Sequence, residues 1–291
     1  MLAAAAPAAG ATRIAPGVFV LPGVHEDAAA DNLNAIANVG FVVGGEAVAV
    51  IDPGGSLRHG QLLRRAVEAA TPLPIRFVVL THAHPDHAMG AAAFADLKPE
   101  VVGHARLPEA LAQRREGYLR MLEREMGAAA AAGSDAFPPT RLVEDRLDLD
   151  LGGGRALSVT AHGPAHTDAD LSLFDAATGT LWLSDLLFVE RIPSMDGSLS
   201  GWLRESASLR ERSAARAVPG HGPPAVPWPG AAALTGYLEA LRDGTRAAIA
   251  AGVGIAEAPA RVASAEASRW RLAEAYHGRN VSAAYRELEW E

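Results

Sequence analysis

The run Ile75-Arg76-Phe77-Val78-Val79-Leu80, followed at once by Thr81-His82-Ala83-His84-Pro85-Asp86-His87, constrains this chain more than any other stretch. The first six residues are apolar and rich in branched side chains, which reads as a short buried strand. The strand stops at Thr81. Pro85 cannot extend a ladder or sit inside a helix, so the polar residues are expected in a tight loop at the strand's C-terminal end, where open α/β layers keep their chemistry. His82 and His84 are two apart, and an extended backbone sends both side chains the same way. Beyond the turn, Asp86 and His87 project toward a second point nearby. Two imidazoles aimed at one spot, with a carboxylate and an imidazole at the next, describe a cradle for two metal ions. A polar loop of satisfied histidines is the plainer alternative; it suits an isolated histidine better than three within the span 82–87.

Three later segments complete the set. His166 lies in Gly163-Pro164-Ala165-His166-Thr167-Asp168, a loop before a strand. Asp185 lies just past the apolar run Leu181-Trp182-Leu183-Ser184, where a lone carboxylate is costly unless paired or bound to metal. His221 lies in Val218-Pro219-Gly220-His221-Gly222-Pro223, held between glycines after another short strand. Imidazole and carboxylate donors suit Zn²⁺, with Fe or Mn as alternatives. The expected division puts His82, His84 and His166 on one ion, Asp86, His87 and His221 on the other, and Asp185 across both. Two ions about 3.5–4 Å apart can share a hydroxide that attacks an electrophilic carbon or phosphorus. Asp86 or water then protonates the leaving group. The residual positive charge favours a small substrate carrying an anionic group.

The rest of the chain reads as scaffold. Its 291 residues, 49% apolar, allow one large or two small domains with a substantial core. Two apolar runs, Val39–Val43 and 47–51, meet at Gly44-Gly45 as a hairpin. Ser56 caps a helix to Ala70 with Leu57, Leu62, Leu63 and Val67 on one face. A small-residue helix is expected over 89–97 and a longer helical insertion over 107–132. Strands resume over 141–149, 156–160, 171–174 and 181–184; helices follow over 230–251, 255–276 and 280–289. Strands and a helix, an insertion, strands again and then helices suggest two sheets packed face to face with helices outside. Residues 13–291 are read as one α/β domain with a helical C-terminal extension over about 228–291. The alanine-rich stretch 1–12 is read as a disordered tail or the remnant of an export signal.

Several function classes are disfavoured. The net charge is -8 and no basic run occurs, which argues against a nucleic-acid surface. Cysteine is absent, so disulfides, thiolate ligands and cysteine nucleophiles are excluded. No apolar stretch reaches the roughly 18 residues of a membrane span. No Gly-x-Ser-x-Gly elbow accompanies the histidines.

The order His-x-His-x-Asp-His over 82–87, then His166, Asp185 and His221, resembles the metallo-β-lactamase superfamily. The resemblance implies a four-layer αββα sandwich and a di-zinc hydrolase of a small ester, thioester, lactone or lactam. Asp52 matches the acidic residue that this family places after an early strand to orient a ligand histidine, and Thr81 and Ser184 are placed to hydrogen-bond the ligands beside them. Aspartate at 185 resembles glyoxalase II-type sites more than cysteine-containing lactamases, leaving β-lactamase activity as a promiscuous alternative. Residues 163–171, 185–193, 196–202, 279–281 and 287–291 resemble the quinoprotein relay system zinc metallohydrolases and the sulfur-oxidation-cluster hydrolases. That likeness implies a periplasmic location, otherwise cytoplasmic, and a quinoprotein dehydrogenase partner. Arg191, Asp196, Ser198 and Trp202 are read as loop residues lining the substrate pocket. His162 is read as a surface histidine, and His25, His59, His104 and His277 as structural. The rival functions are an iron redox enzyme of the persulfide dioxygenase or flavodiiron kind and a non-catalytic accessory protein of the dehydrogenase.

Overall fold

Residues 10–230 and 232–291 are described by a computed structural model. One sheet carries, in spatial order, β1 (Thr12–Ala15), β2 (Val18–Leu21), β3 (Val39–Val43), β4 (Val48–Ile51), β5 (Ile75–Leu80), β6 (Glu100–His104) and β7 (Arg141–Val143). The other carries β8 (Arg146–Asp150), β9 (Ala156–Ala161), β10 (Leu171–Asp175), β11 (Thr180–Phe188), β12 (Arg216–His221) and β13 (Val226–Pro227). The helices are α1 (Leu57–Ala70), α2 (Pro85–Ala88), α3 (Leu107–Met126), α4 (Ala128–Ala131), α5 (Leu199–Arg210), α6 (Ala232–Ala250), α7 (Ser264–Ala267) and α8 (Ala273–Leu288).

The strand β5 shows why this sequence makes four layers. Phe77 and Val79 pack between the sheets with Ile51, Val159, Leu173 and Trp182. Val78 and Leu80 point the other way, toward Leu63 and Val67 of α1 and Leu107, Leu111 and Leu122 of α3. A strand covered on both faces needs no polar alternation, which accounts for the continuous apolar run. The outer face of the second sheet is closed by Trp202 and Leu209 of α5, Tyr237 and Leu241 of α6, and Val281 and Leu288 of α8. The expected αββα sandwich is the observed fold, and the C-terminal helices belong to its outer layer. Parallel pairing of β4 with β5, and of β11 with β12, brings the C-terminal ends of β5, β11 and β12 to the edge that holds the site.

Local differences from the sequence reading have physical causes. Pro85 begins α2, because the first helical position needs no backbone N–H. The small-residue segment is a 3₁₀ helix over Ala91–Leu97, and the insertion breaks at Gly127. The segment read as one strand over 141–149 divides between the two sheets as β7 and β8. Residues 255–276 hold a 3₁₀ turn, the short α7 and the start of α8 rather than one helix. Ser56 does cap α1, its side chain accepting from His59 N–H. Leu62, however, is exposed, one position off the stripe formed by His59, Leu63, Ala66 and Val67. At the N-terminus, residues 1–9 of the supposed tail lie outside the described residues, but Ala11 is buried in the core and Thr12 pairs with Val20. No helix among the described residues is long and apolar enough to cross a membrane.

Candidate metal centre

The site grows from the hinge between β4 and β5. Directly after β4, Asp52 adopts a left-handed backbone (φ 54°) and turns its fully buried carboxylate under the end of β5. Its Oδ1 accepts from Thr81 N–H at 2.8 Å; its Oδ2 accepts from Thr81 Oγ1 at 2.8 Å and Ser184 Oγ at 3.0 Å. Oδ2 also lies 2.8 Å from His87 Nδ1, which must carry a proton to meet a carboxylate. One buried acidic group thus fixes both ends of the loop 81–87. The single helical turn of α2 then carries Asp86 and His87, with the His87 ring still 4.4 Å from that of His82 between centroids.

All seven donors anticipated from the sequence converge. Ligand atoms of His82, His84, His166 and Asp185 lie within 4.8 Å of one another, and those of Asp86, His87 and His221 do likewise. Asp185 stands between the two sets. Its Oδ1 is 3.0 Å from His87 Nε2, while Oδ2 is 3.2 Å from His166 Nε2 and 3.5 Å from His221 Nε2. Asp86 Oδ2 lies 3.3 Å from His221 Nε2. Contrary to the expectation of a residue just past a strand, Asp185 sits inside β11, and all nine residues of that strand are buried. The ladder with β12 is irregular between Trp182 and Ser184, and Ser184 takes φ 47°, a strained geometry for a residue with a side chain. Gly220 makes room opposite: a Cβ there would lie 1.8 Å from Asp185 Oδ1.

Four of the five imidazoles have their outward nitrogen tied down. His82 Nδ1 meets Thr81 Oγ1 at 3.0 Å, His84 Nε2 meets Asp196 Oδ2 at 3.1 Å, and His87 Nδ1 meets Asp52. His221 Nδ1 donates to the Ile36 carbonyl at 2.8 Å. His166 is positioned by ring contacts instead, with Trp202 at 5.2 Å and Phe188 at 5.6 Å between centroids. Three inward atoms are left without partners: His82 Nε2, His87 Nε2 and Asp185 Oδ1 are buried and make no hydrogen bond. Orphaned buried polar atoms are rare because desolvating them is costly. Several lone-pair donors converging in this way fit metal ions, and outer hydrogen bonds that fix each tautomer are what metal-binding histidines require. Burial opposes ionisation of Asp185 and Asp86, yet the neighbouring imidazoles, His87 foremost, hold both carboxyls well below the usual range. Burial and the proximity of His87 keep His82 neutral, with its lone pair free.

The centre opens into a cleft of about 360 Å³. His84, Asp86, Asp185 and His221 line it from the centre, Met121 from α3, and Asp27, Arg191, Tyr276 and Arg279 from the rim. Of the expected substrate contacts, only Arg191 reaches it. Its guanidinium is committed to the Glu26 carbonyl at 3.0 Å and Tyr276 Oη at 3.2 Å, 3.4 Å from His221 Nδ1. Ser198 instead caps α5, accepting from Gly201 N–H and donating to Glu287. Trp202 is fully buried; its Nε1 donates to Leu186 O and its ring backs His166. Both are corrections, because a residue that starts or fills a helix interface cannot also face the cleft. Asp196, anchored from the other side by Arg114, holds His84. His162 is buried rather than on the surface, bridging Ser172 Oγ at 2.7 Å and Glu205 at 2.8 Å. His277 packs in the tail against Tyr237 and the Val262 carbonyl, as expected.

Sequence reasoning missed Asn38, whose buried amide donates to the carbonyls of Pro219, Gly222 and Pro223 and so clamps the His221 loop. Its signal was an asparagine abutting an apolar strand, a polar group that needs a partner elsewhere. Arg114 and Tyr276 carried no local signal, and Arg279 entered only as part of the resemblance over 279–281.

A family model described as the metallo-beta-lactamase superfamily matches residues 34–221. Among solved structures the chain is similar to TMB-1, at a TM-score of 0.60 and 16% identity over 79% of this chain and 96% of that one. A metallo-beta-lactamase from Pontibacter korlensis superposes at 0.59 and 17% identity, covering 79% of this chain and 98% of that one. The stereoselective inverting sec-alkylsulfatase Pisa1 from Pseudomonas sp. superposes at 0.71 and 16% identity over 97% of this chain, which spans 50% of the alkylsulfatase. No curated protein matches by sequence.

Proposed function

The chain belongs to the metallo-beta-lactamase superfamily, and we propose that it is a dinuclear zinc hydrolase of a small ester, thioester, lactone or lactam. His82, His84 and His166 would hold one ion, Asp86, His87 and His221 the other, and Asp185 would serve both. When bound, two such ions supply Lewis acidity and a nucleophile at neutral pH. The chain's own residues do the rest. Asp52, Asp196, Thr81 and the Ile36 carbonyl hold the imidazoles in the required tautomers. Asp86 lines the cleft as an anion, and the leaving group takes the proton given up by the attacking water, either through Asp86 or from a second water. The observation that carries this reading is Asp185, which stands between the two donor sets, its Oδ1 near His87 and its Oδ2 near both His166 and His221.

The test is metal content together with chelator-sensitive turnover. The substrates are nitrocefin, a thioester, a lactone, 4-nitrophenyl esters and a secondary alkyl sulfate, the last because the alkylsulfatase superposition covers nearly the whole chain. About two zinc ions per chain and at least one chelator-sensitive substrate are expected. Fewer than one ion, or iron with no hydrolysis, would sink the proposal. The quinoprotein dehydrogenase partner and the periplasmic location rest on the motif resemblance over 163–171 and 185–193. Co-purification with such a dehydrogenase tests the first; cell fractionation tests the second.

A further inference from the structure

The family match ends at residue 221 and begins at 34, yet the cleft over the centre is completed by residues outside that span: Asp27 from the N-terminal loop and Tyr276 and Arg279 from α8. These segments are locked together. The Tyr276 hydroxyl donates to Asp27 Oδ1 at 2.5 Å and accepts from Arg191 at 3.2 Å, an N-terminal to C-terminal clasp. Two guanidinium groups lie over the same phenol ring, Arg191 at 5.5 Å and Arg279 at 5.7 Å. Arg191 is buried and spends its N–H groups on the clasp. Arg279 is exposed at the cleft and makes no ion pair among the described residues. Apart from the donor cluster, the charged lining is Arg124, Arg191 and Arg279 against Asp27 and Glu125, and Arg124 is already paired with Glu125. One positive charge is left over, on a planar group held against an aromatic face with its donors free. A guanidinium of this kind recognises a carboxylate in a bidentate fork. A dianionic phosphate would meet the rim carboxylates as well, so a monoanion fits better.

Building on the hydrolase reading, we propose that Arg279 is a specificity-determining residue, selecting substrates that carry a carboxylate on the part of the molecule away from the bond being broken. The metal centre handles the scissile group, and the Tyr276-Arg279 wall reads the far end.

The experiment compares 4-nitrophenyl hydrogen succinate with 4-nitrophenyl butyrate, a near-isosteric neutral ester, on the zinc-loaded protein. The native chain is expected to prefer the charged ester. Arg279→Gln is expected to lower the preference, as a ratio of kcat/KM values, about tenfold, mainly through KM, and Arg279→Lys to restore part of it. Arg279→Gln leaves the chain folded because the side chain is at the surface, and an unchanged thermal midpoint verifies this. A preference that is absent in the native chain, or that survives Arg279→Gln, overturns the assignment. If neither ester is hydrolysed, the hydrolase reading fails on these probes, and the carboxylate site is read by calorimetric titration of glutarate. Binding weakened about tenfold in Arg279→Gln supports the site; equal binding overturns it.

Discussion

Replacing Asp52 by asparagine is the sharpest probe of how the centre is built. The substitution keeps size and shape and changes only what the side chain offers. Oδ1 can still accept from Thr81 N–H, which obliges the new NH₂ to stand where Oδ2 accepts from Thr81 Oγ1 and Ser184 Oγ and faces His87 Nδ1. An N–H facing an N–H repels, so His87 must move its proton to Nε2, the atom 3.0 Å from Asp185 Oδ1 that points into the centre. The change therefore removes a lone pair from one metal position without touching a donor residue. Losing one charge-assisted buried hydrogen bond costs about 1.5–3 kcal/mol of stability. Mutating such outer partners lowers metal affinity about 10–100-fold, which is about 1.4–2.7 kcal/mol. The assay is competition against a chromophoric chelator, resolved into its two binding steps, with denaturant unfolding of the metal-free protein alongside. One of the two steps is expected to weaken by at least tenfold and the other to change less. Asp196→Asn, at the more exposed His84, is expected to weaken the opposite step and to cost less stability. Two metals bound by Asp52→Asn with unchanged affinity and an unchanged unfolding midpoint would refute the reasoning.

Gly220→Ala would drive a Cβ to 1.8 Å from Asp185 Oδ1 and 2.7 Å from the Ser184 carbonyl carbon, so the carboxylate must leave its place between the donor sets. Bound zinc is expected to fall below two per chain with a loss of about 1–3 kcal/mol from overpacking; full metal content and an unchanged thermal midpoint would count against it. In the metal-free chain, burial works against protonation of His87, but Asp185, Asp86 and Asp52 outweigh it and hold its pKa well above the ordinary histidine value. Metal must displace that proton, so calorimetry in buffers of different ionisation enthalpy should show proton release, and affinity should rise with pH; pH-independent binding would contradict this. His59, buried and repelled by His87, is pushed down to about 4, and its Nδ1 accepts from Gly55 N–H. Between about pH 6.5 and 4 the unfolded chain takes up a proton there that the native chain refuses. Stability should fall by about 3 kcal/mol as pH drops through that window, and denaturant titrations of His59→Gln should show that part of the slope flattened.

Which parts of this architecture could be read in advance follows from what each depends on. The donor set was visible because histidines and carboxylates are expensive to place at the ends of apolar strands unless something binds them there; His82 to His87 after β5 and His221 as the last residue of β12 are of that kind. The layers were visible because β5 is apolar on both faces and α1 on only one. Asp185 was visible as a residue but not as a position, because its place depends on a left-handed Ser184 and an absent side chain at Gly220, neither of which leaves a mark in hydrophobic periodicity. The split of 141–149 between β7 and β8 is hidden for a similar reason: both pieces are short, and only their partners, β6 and β9, tell them apart. The rim was least legible, since Asp27 and Tyr276 are 249 positions apart and acquire meaning only together. Chemistry that one loop supplies can be read from that loop; selectivity assembled from both ends of the chain arises only once the sandwich closes. Substitutions at Asp27 or Arg279 should therefore alter which substrate is taken, and those at Asp52 or Gly220 whether any is.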